Sequence, residues 1–152
     1  LVLELTESLV LHDIADTVRK MQALCRHGVR FALDDFGTGY SSLSHLKQLP
    51  LHHLKVDGCF VRDIVTDPSD AAIVQTIIGM SRNLGLCVIA EGVETEAQRH
   101  VLQGLQCPVF QGYLFGRPLP LPQFEQWLGM QPAALQHASS TSTTPLSPQE
   151  TP

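Results

Sequence analysis

The sequence predicts an α/β chain, a TIM-like (β/α) barrel built to about five of its eight βα units. Three observations carry this reading. Short apolar runs alternate with helical patterns over residues 1–129, and strands joined by helices pair in parallel through right-handed crossovers. The runs are mostly continuous rather than alternating, which suits strands covered on both faces. Each run also ends in a polar or charged residue: Glu4, Asp34 with Asp35, Lys55 with Asp57, Glu91, and Gln111. The C-terminal ends of barrel strands share one mouth, whereas a doubly wound open sheet takes its ligand at one crevice. Contributions from every strand in succession favour the barrel.

LVLEL (1–5) reads as the first strand. A helix over 12–27 follows, with Ile14, Ala15, Val18, Met21, Leu24 and Cys25 on one face and Gly28 as its stop. VRFAL (29–33) is the second strand. A glycine-containing loop and a short helix ended by Pro50 lead to the third, LKV (54–56). The helix over 69–84 turns Ile73, Val74, Ile77, Ile78 and Leu84 inward. LCVIA (86–90) is the fourth strand. Thr95 and Gln98 have the spacing of a capping box, opening a helix that buries Val101, Leu102 and Leu105. VFQGY (109–113) is the fifth strand, and 121–128 a last helix.

Composition narrows the class. A chain of 152 residues with 43% hydrophobic content supports one domain with a real core. A net charge of −5 disfavours a DNA-coating surface. No apolar run is long enough to span a membrane, and no signal peptide is visible. Twelve of the 22 residues from position 131 are Pro, Ser or Thr. Residues 130–152 therefore read as a disordered tail, and 1–129 as the barrel portion. Cys25, Cys59, Cys87 and Cys107 lack any C-x-x-C spacing and read as reduced core thiols, which implies a cytoplasmic setting. His52 and His53 precede a strand, where neighbours point to opposite faces, and read as structural. The chain opens on an apolar strand, as a segment of a longer parent would. Upstream regulatory domains, and any membrane anchor, are expected in that parent.

Seven acids, Glu4, Glu7, Asp34, Asp35, Asp57, Glu91 and Glu94, gather around the predicted mouth with one lysine, Lys55. Carboxylates at this density suit hard divalent ions, Mg²⁺ or Mn²⁺. Asp34 and Asp35 stand at the start of a loop, where the backbone can aim both inward, one bridging two ions and the other completing the second. Two such ions about 3.5–4 Å apart activate a water for in-line displacement at phosphorus. Acids after strands also cap the next helix, which explains any one of them but not the whole set. Gly37-Thr38-Gly39 reads as a lid with glycine hinges rather than a phosphate cradle. Gln111, Tyr113 and Arg117 are candidates for nucleotide contacts, with Tyr113 equally suited to the core and Arg117 to bracing a loop.

LELTES (3–8), LDDFGTGYSS (33–42), LKVDGCFV (54–61), VIAEGVET (88–95) and QGYLFGRPLP (111–120) together resemble the EAL family of cyclic di-GMP phosphodiesterases, in family order. The resemblance implies bacterial second-messenger signalling, with hydrolysis of one phosphodiester of cyclic di-GMP to linear pGpG. By that similarity Glu4 and Asp34 hold a first metal, and Asp34 bridges to a second held by Asp35 and Glu91. Glu91 is also the general-base candidate, and Lys55 positions the water and offsets charge. Glu7 resembles the family's anchor for the lid, while Asp57, Glu94 and Gln111 resemble water-mediated or supporting contacts. Gln111 and Tyr113 are the substrate-binding candidates. The lid and following helix imply a homodimer. Gly58-Cys59 stands where many members carry Arg-Ser. The family's Glu-Ala-Leu segment and an Asn ligand belong on strands before Leu1, so these residues alone are expected to hydrolyse the substrate poorly.

A different class remains open: a non-catalytic module that senses cyclic di-GMP or binds a protein. A receiver domain also pairs Asp residues with a Lys, but there the Lys ends the last strand. An enolase-type barrel shares strand-end acids with Mg²⁺ and Lys, but the Asp-Asp-Phe-Gly loop favours the phosphodiesterase.

Overall fold

The structure is a computed structural model that describes residues 1–6, 13–37 and 43–130, the side chains of Ser44 and Met130 excepted. Five strands form one parallel sheet in chain order: β1 (Val2–Thr6), β2 (Arg30–Phe36), β3 (His53–Val56), β4 (Cys87–Ala90) and β5 (Val109–Phe110). The helices between them are α1 (Ile14–Cys25), α2 (Leu43–Leu46), α3 (Gly58–Arg62), α4 (Pro68–Asn83) and α5 (Glu96–Gly104). Each strand pairs with its successor through a helical crossover, which is the succession of a (β/α) barrel. The described residues divide into two units, one ending at Arg117 and the other beginning at Pro118. All five strands lie in the first. The second carries α6 (Leu121–Met130), in which Phe124 and Trp127 stack at 6.0 Å.

Local chemistry sets the helix starts. The Asp13 carboxylate accepts the Asp16 N–H at 3.0 Å to open α1. Asp67 accepts the Ser69 N–H at 2.7 Å ahead of Pro68, which fits a first helical turn. The expected capping box at Thr95 and Gln98 is present in both directions. Helix α3 was not expected from the sequence; Asp57 creates it by accepting the Cys59 N–H at 2.7 Å.

The period of two then sorts the sheet's residues. Phe31, Leu33, Leu54, Val56, Val88 and Ala90 face the helices and are buried with Val74, Ile77, Ile78 and Leu102. Burying a side chain such as Leu54 contributes roughly 2 kcal/mol. Within α1, Met21 is buried but Ala15 and Leu24 are exposed; in α4, Ile73 and Leu84 are exposed and Ser81 is buried instead. Those expectations took too wide an apolar stripe: one sheet face covers only part of each helix. Of the cysteines, all free thiols, Cys107 is buried and the other three are half-buried. His52 accepts the Phe31 N–H through Nδ1 at 3.4 Å, and burial lowers the pKa of His53, in keeping with structural roles.

Two strands differ from expectation where the site begins. β2 continues through Phe36, so Asp34 and Asp35 lie inside a strand and not at the start of a loop. β5 stops at Phe110, which leaves Gln111 and Tyr113 beyond it. The Gln111 N–H still bonds the Ala90 carbonyl at 2.8 Å, and its own carbonyl accepts the Val93 N–H at 3.0 Å.

Candidate functional site

Adjacent residues of a regular strand point to opposite faces, so two neighbouring acids cannot ordinarily share a site. β2 escapes this through a bulge. Leu33 pairs with Leu54 and Phe36 with Val56, so Asp34 and Asp35 together oppose Lys55 alone. Asp35 adopts φ 54°, a left-handed conformation uncommon for a residue with a side chain, and its N–H bonds Asp34 Oδ1 at 3.1 Å. Carboxylate oxygens of Asp34, Asp35 and Glu91 come within 4.8 Å of one another.

Lys55 is at the centre. Its Nζ lies 3.0 Å from Glu4 Oε2, 2.9 Å from Asp34 Oδ1 and 2.8 Å from Glu91 Oε1. The lysine side chain is only 4% exposed, against 52% for Glu4. Burial alone would lower its pKa, but the three carboxylates outweigh it and raise it. Burial raises the pKa of Glu91, Lys55 opposes the rise, and Asp34 adds to it. Partial desolvation, Asp34 and Asp57 raise that of Asp35. Four of the five strands thus position the cluster: Glu4 lies in β1, the acid pair in β2, Lys55 in β3, and Glu91 immediately after β4. Gly92, at φ 67°, turns the chain there, and a Cβ built on it would lie 3.1 Å from the Gly58 Cα. The β4 and β3 exits therefore pack backbone to backbone.

The remaining candidates take other places. Asp57 caps α3, and its pKa is lowered first by the hydrogen bond from the Cys59 thiol; its carboxyl also meets that of Asp35. Glu94 donates its N–H to Gln98 Oε1 at 2.8 Å and lines a cavity of 210 Å³ with Gly58, Cys59, Arg62, Gly92 and Gln98. Tyr113 is exposed, not core, with the Arg117 guanidinium 4.4 Å from its ring centre. Glu7, Thr38 and Gly39, and with them most of the expected lid, lie outside the described residues.

Sequence reasoning missed Gln98 as a site organiser. Beyond its capping bonds, its Nε2 donates to the Arg62 carbonyl at 3.1 Å, tying the loop after Glu91 to α3. The capping spacing was the available signal; the partner 36 residues away had none. Cys59 was also missed. Burial, then Asp57, pushes its thiol up to about 11. Since the thiolate is the reactive form, iodoacetamide at pH 8 should label Cys59 at least about tenfold more slowly than an unhindered cysteine, as followed by peptide mass spectrometry. Labelling at the free-cysteine rate would contradict the burial and the Asp57 bond.

The EAL domain model matches residues 1–118. MucR of Pseudomonas aeruginosa, a bifunctional diguanylate cyclase/cyclic di-GMP phosphodiesterase, is 47% identical over 123 residues, which is 81% of this chain and 18% of its own length. The cyclic di-GMP phosphodiesterase NbdA of the same organism is 48% identical over 126 residues, 83% of this chain and 16% of its own. The solved MucR phosphodiesterase in complex with c-di-GMP aligns with TM-score 0.76 at 46% identity, covering 81% of this chain and 50% of that one. BlrP1 of Klebsiella pneumoniae, solved as a manganese/cy-diGMP complex, aligns with TM-score 0.72 at 39% identity, covering 77% of this chain and 30% of that one. The chain thus spans a small part of its curated relatives and half of the MucR structure. With the model matched across all five strands and relatives at this identity, the chain belongs to the EAL domain family.

Proposed function

We propose that this chain carries part of the site for divalent-metal-dependent hydrolysis of cyclic di-GMP to linear pGpG. The observation that carries the reading is the convergence of Glu4 of β1, Asp34 of β2 and Glu91 at the exit of β4 on Lys55 of β3, with the Asp35 carboxylate in the same cluster through the bulge. The donor set fits Mg²⁺ or Mn²⁺, since it offers only carboxylate oxygens. Glu4 and Asp34 would hold one ion, and Asp34, Asp35 and Glu91 the other. Such a pair lowers the pKa of a water and neutralises charge at phosphorus. The manganese and nucleotide in the BlrP1 structure support the same reading.

The protein groups then divide the work. Glu91 accepts the proton of the attacking water, whose oxygen joins phosphorus as one P–O ester bond breaks, and the departing sugar oxygen takes up a proton to become the free hydroxyl of pGpG. Lys55 orients that water and offsets charge developing on the phosphate oxygens. Gln111 and Tyr113, beyond β5, face the nucleotide, with Asp57 and Glu94 supporting the mouth from α3 and the loop before α5. Glu7 anchors the lid, and the lid with the helix after it forms the contact of a homodimer. Residues 1–129 act as the barrel portion, 130–152 as a tail, in a cytoplasmic protein with upstream regulatory domains. Among the described residues, no helix is long and apolar enough to cross a membrane.

The test is a chimera in which the portion of the MucR phosphodiesterase that this chain does not cover is fused ahead of Leu1. With Mn²⁺ it should convert cyclic di-GMP to pGpG on a chromatographic assay, at least about 100-fold faster than the 152 residues alone. Tight binding of cyclic di-GMP by the chimera without any pGpG would replace this reading with a sensing module.

A further inference from the structure

We infer that Lys55 is a stand-in cation: its ammonium holds the acidic mouth together before divalent ions arrive, and weakens their binding when they do. This rests on the metal site proposed above.

An ammonium has three N–H donors, and three carboxylates face it at 2.8–3.0 Å. Its stem runs from the middle of a four-residue strand, with pairing to β2 on one side and β4 on the other. The side chain is 4% exposed, so water cannot serve those donors in place of the acids. The bulge in β2 gives two acids one residue opposite them, and that residue is Lys55. The charge balance is four carboxylates, Glu4, Asp34, Asp35 and Glu91, against this one ammonium. Removing it leaves like charges crowded with nothing between them. Supplying a divalent ion to the same carboxylates sets that ion against a fixed positive charge that occupies three of their oxygens.

Two effects of opposite sign follow for Lys55→Met, which keeps the length and apolar stem but not the charge. Without divalent ions the variant should melt about 5 °C or more below the unsubstituted chain. Its affinity for Mn²⁺ should rise at least about tenfold, because the ion no longer meets the ammonium. Saturating Mn²⁺ should therefore shrink the deficit in melting temperature, since tighter binding stabilises by mass action. A Lys55 that merely fills space would leave the melting temperature and the Mn²⁺ affinity unchanged, since Met fills the same space. One that preorganises the ligands would make Mn²⁺ binding weaker on substitution.

The experiment is calorimetric titration of Mn²⁺ and thermal melting in EDTA and in Mn²⁺, at one fixed pH, on both chains. Equal or weaker Mn²⁺ binding by Lys55→Met overturns the inference. Should the variant not fold in EDTA, the unsubstituted chain serves through the ¹⁵N signal of its Lys55 ammonium. That signal should shift and exchange faster with water as Mg²⁺ is added, and an unchanged signal at saturation also overturns the inference. If neither ion binds the chimera that supplies the missing portion, the metal reading fails and this role with it; if ions bind the chimera but not the chain alone, the same titrations and melts are read on the chimera and its Lys55→Met variant. If ions bind and the variant binds them no more tightly, only the role of Lys55 fails.

Discussion

Alanine at position 112 is expected to lower the melting temperature of the chain by about 10 °C or more, from a cost of about 3–5 kcal/mol. Gly112 follows β5, where the chain crosses the loop leaving β4. A Cβ built there would lie 2.7 Å from the Val93 carbonyl carbon, and closer still to that residue's nitrogen and oxygen. All three atoms are backbone, so no side-chain rotation relieves the overlap. The same stretch carries the bonds from Val93 to Gln111 and from Leu114 to Val93, both 3.0 Å. Making room for a methyl group means opening these bonds, and with them the position of the loop that follows Glu91. Gly79 is the internal control. It lies inside α4 with open space around the Cβ direction, so Gly79→Ala should raise stability by about 0.5–1 kcal/mol through helix propensity alone. Thermal melts of the two variants should move in opposite directions. A Gly112→Ala chain as stable as the original would mean that the β4–β5 exits are not packed backbone to backbone.

Asp34→Asn is expected to reduce pGpG formation by the chimera about 10²–10³-fold and to weaken Mn²⁺ binding to the chain. The substitution keeps the shape of the side chain and removes its charge. Asp34 stands between the other acids: it pairs with Lys55 at 2.9 Å and shares the 4.8 Å cluster with Asp35 and Glu91. It is the residue proposed to touch both ions, so its loss affects two ligand sets, whereas loss of Glu4 affects one. Glu4→Gln should therefore cost less than Asp34→Asn in both calorimetric titration and turnover. An Asp34→Asn chimera that retains full turnover would remove the bridging role.

Most of the candidate site was legible in the sequence because its residues close apolar runs, even where the strand itself continues past them. A polar residue closing an apolar run is visible from its immediate neighbours, and a parallel barrel brings all such ends to one mouth. Glu4, Asp34, Lys55 and Glu91 were found this way, and the structure brings their charged groups together. Strand lengths were less legible. The expected VFQGY strand stops after Phe110: the Gln111 N–H still bonds the Ala90 carbonyl, but the Gln111 carbonyl accepts from Val93, past the end of β4. Exposed apolar positions such as Ile73 and Leu84 read as core because periodicity reports the direction of a helix face, not how much neighbouring surface covers it.

The positions of the strands along the chain, four of the five helices between them and the identity of the acids that close the apolar runs were thus legible in the sequence alone, since each depends on residues within a few positions of one another. Tertiary structure decided how two adjacent aspartates share one face. That answer is a bulge, and a bulge is a mismatch in count between two paired strands, so it exists only once β2 lies against β3. The same holds for Gln98 reaching the Arg62 carbonyl and for Gly112 against Val93. Each is a contact between segments far apart in the chain, chosen by packing, with no trace in local pattern.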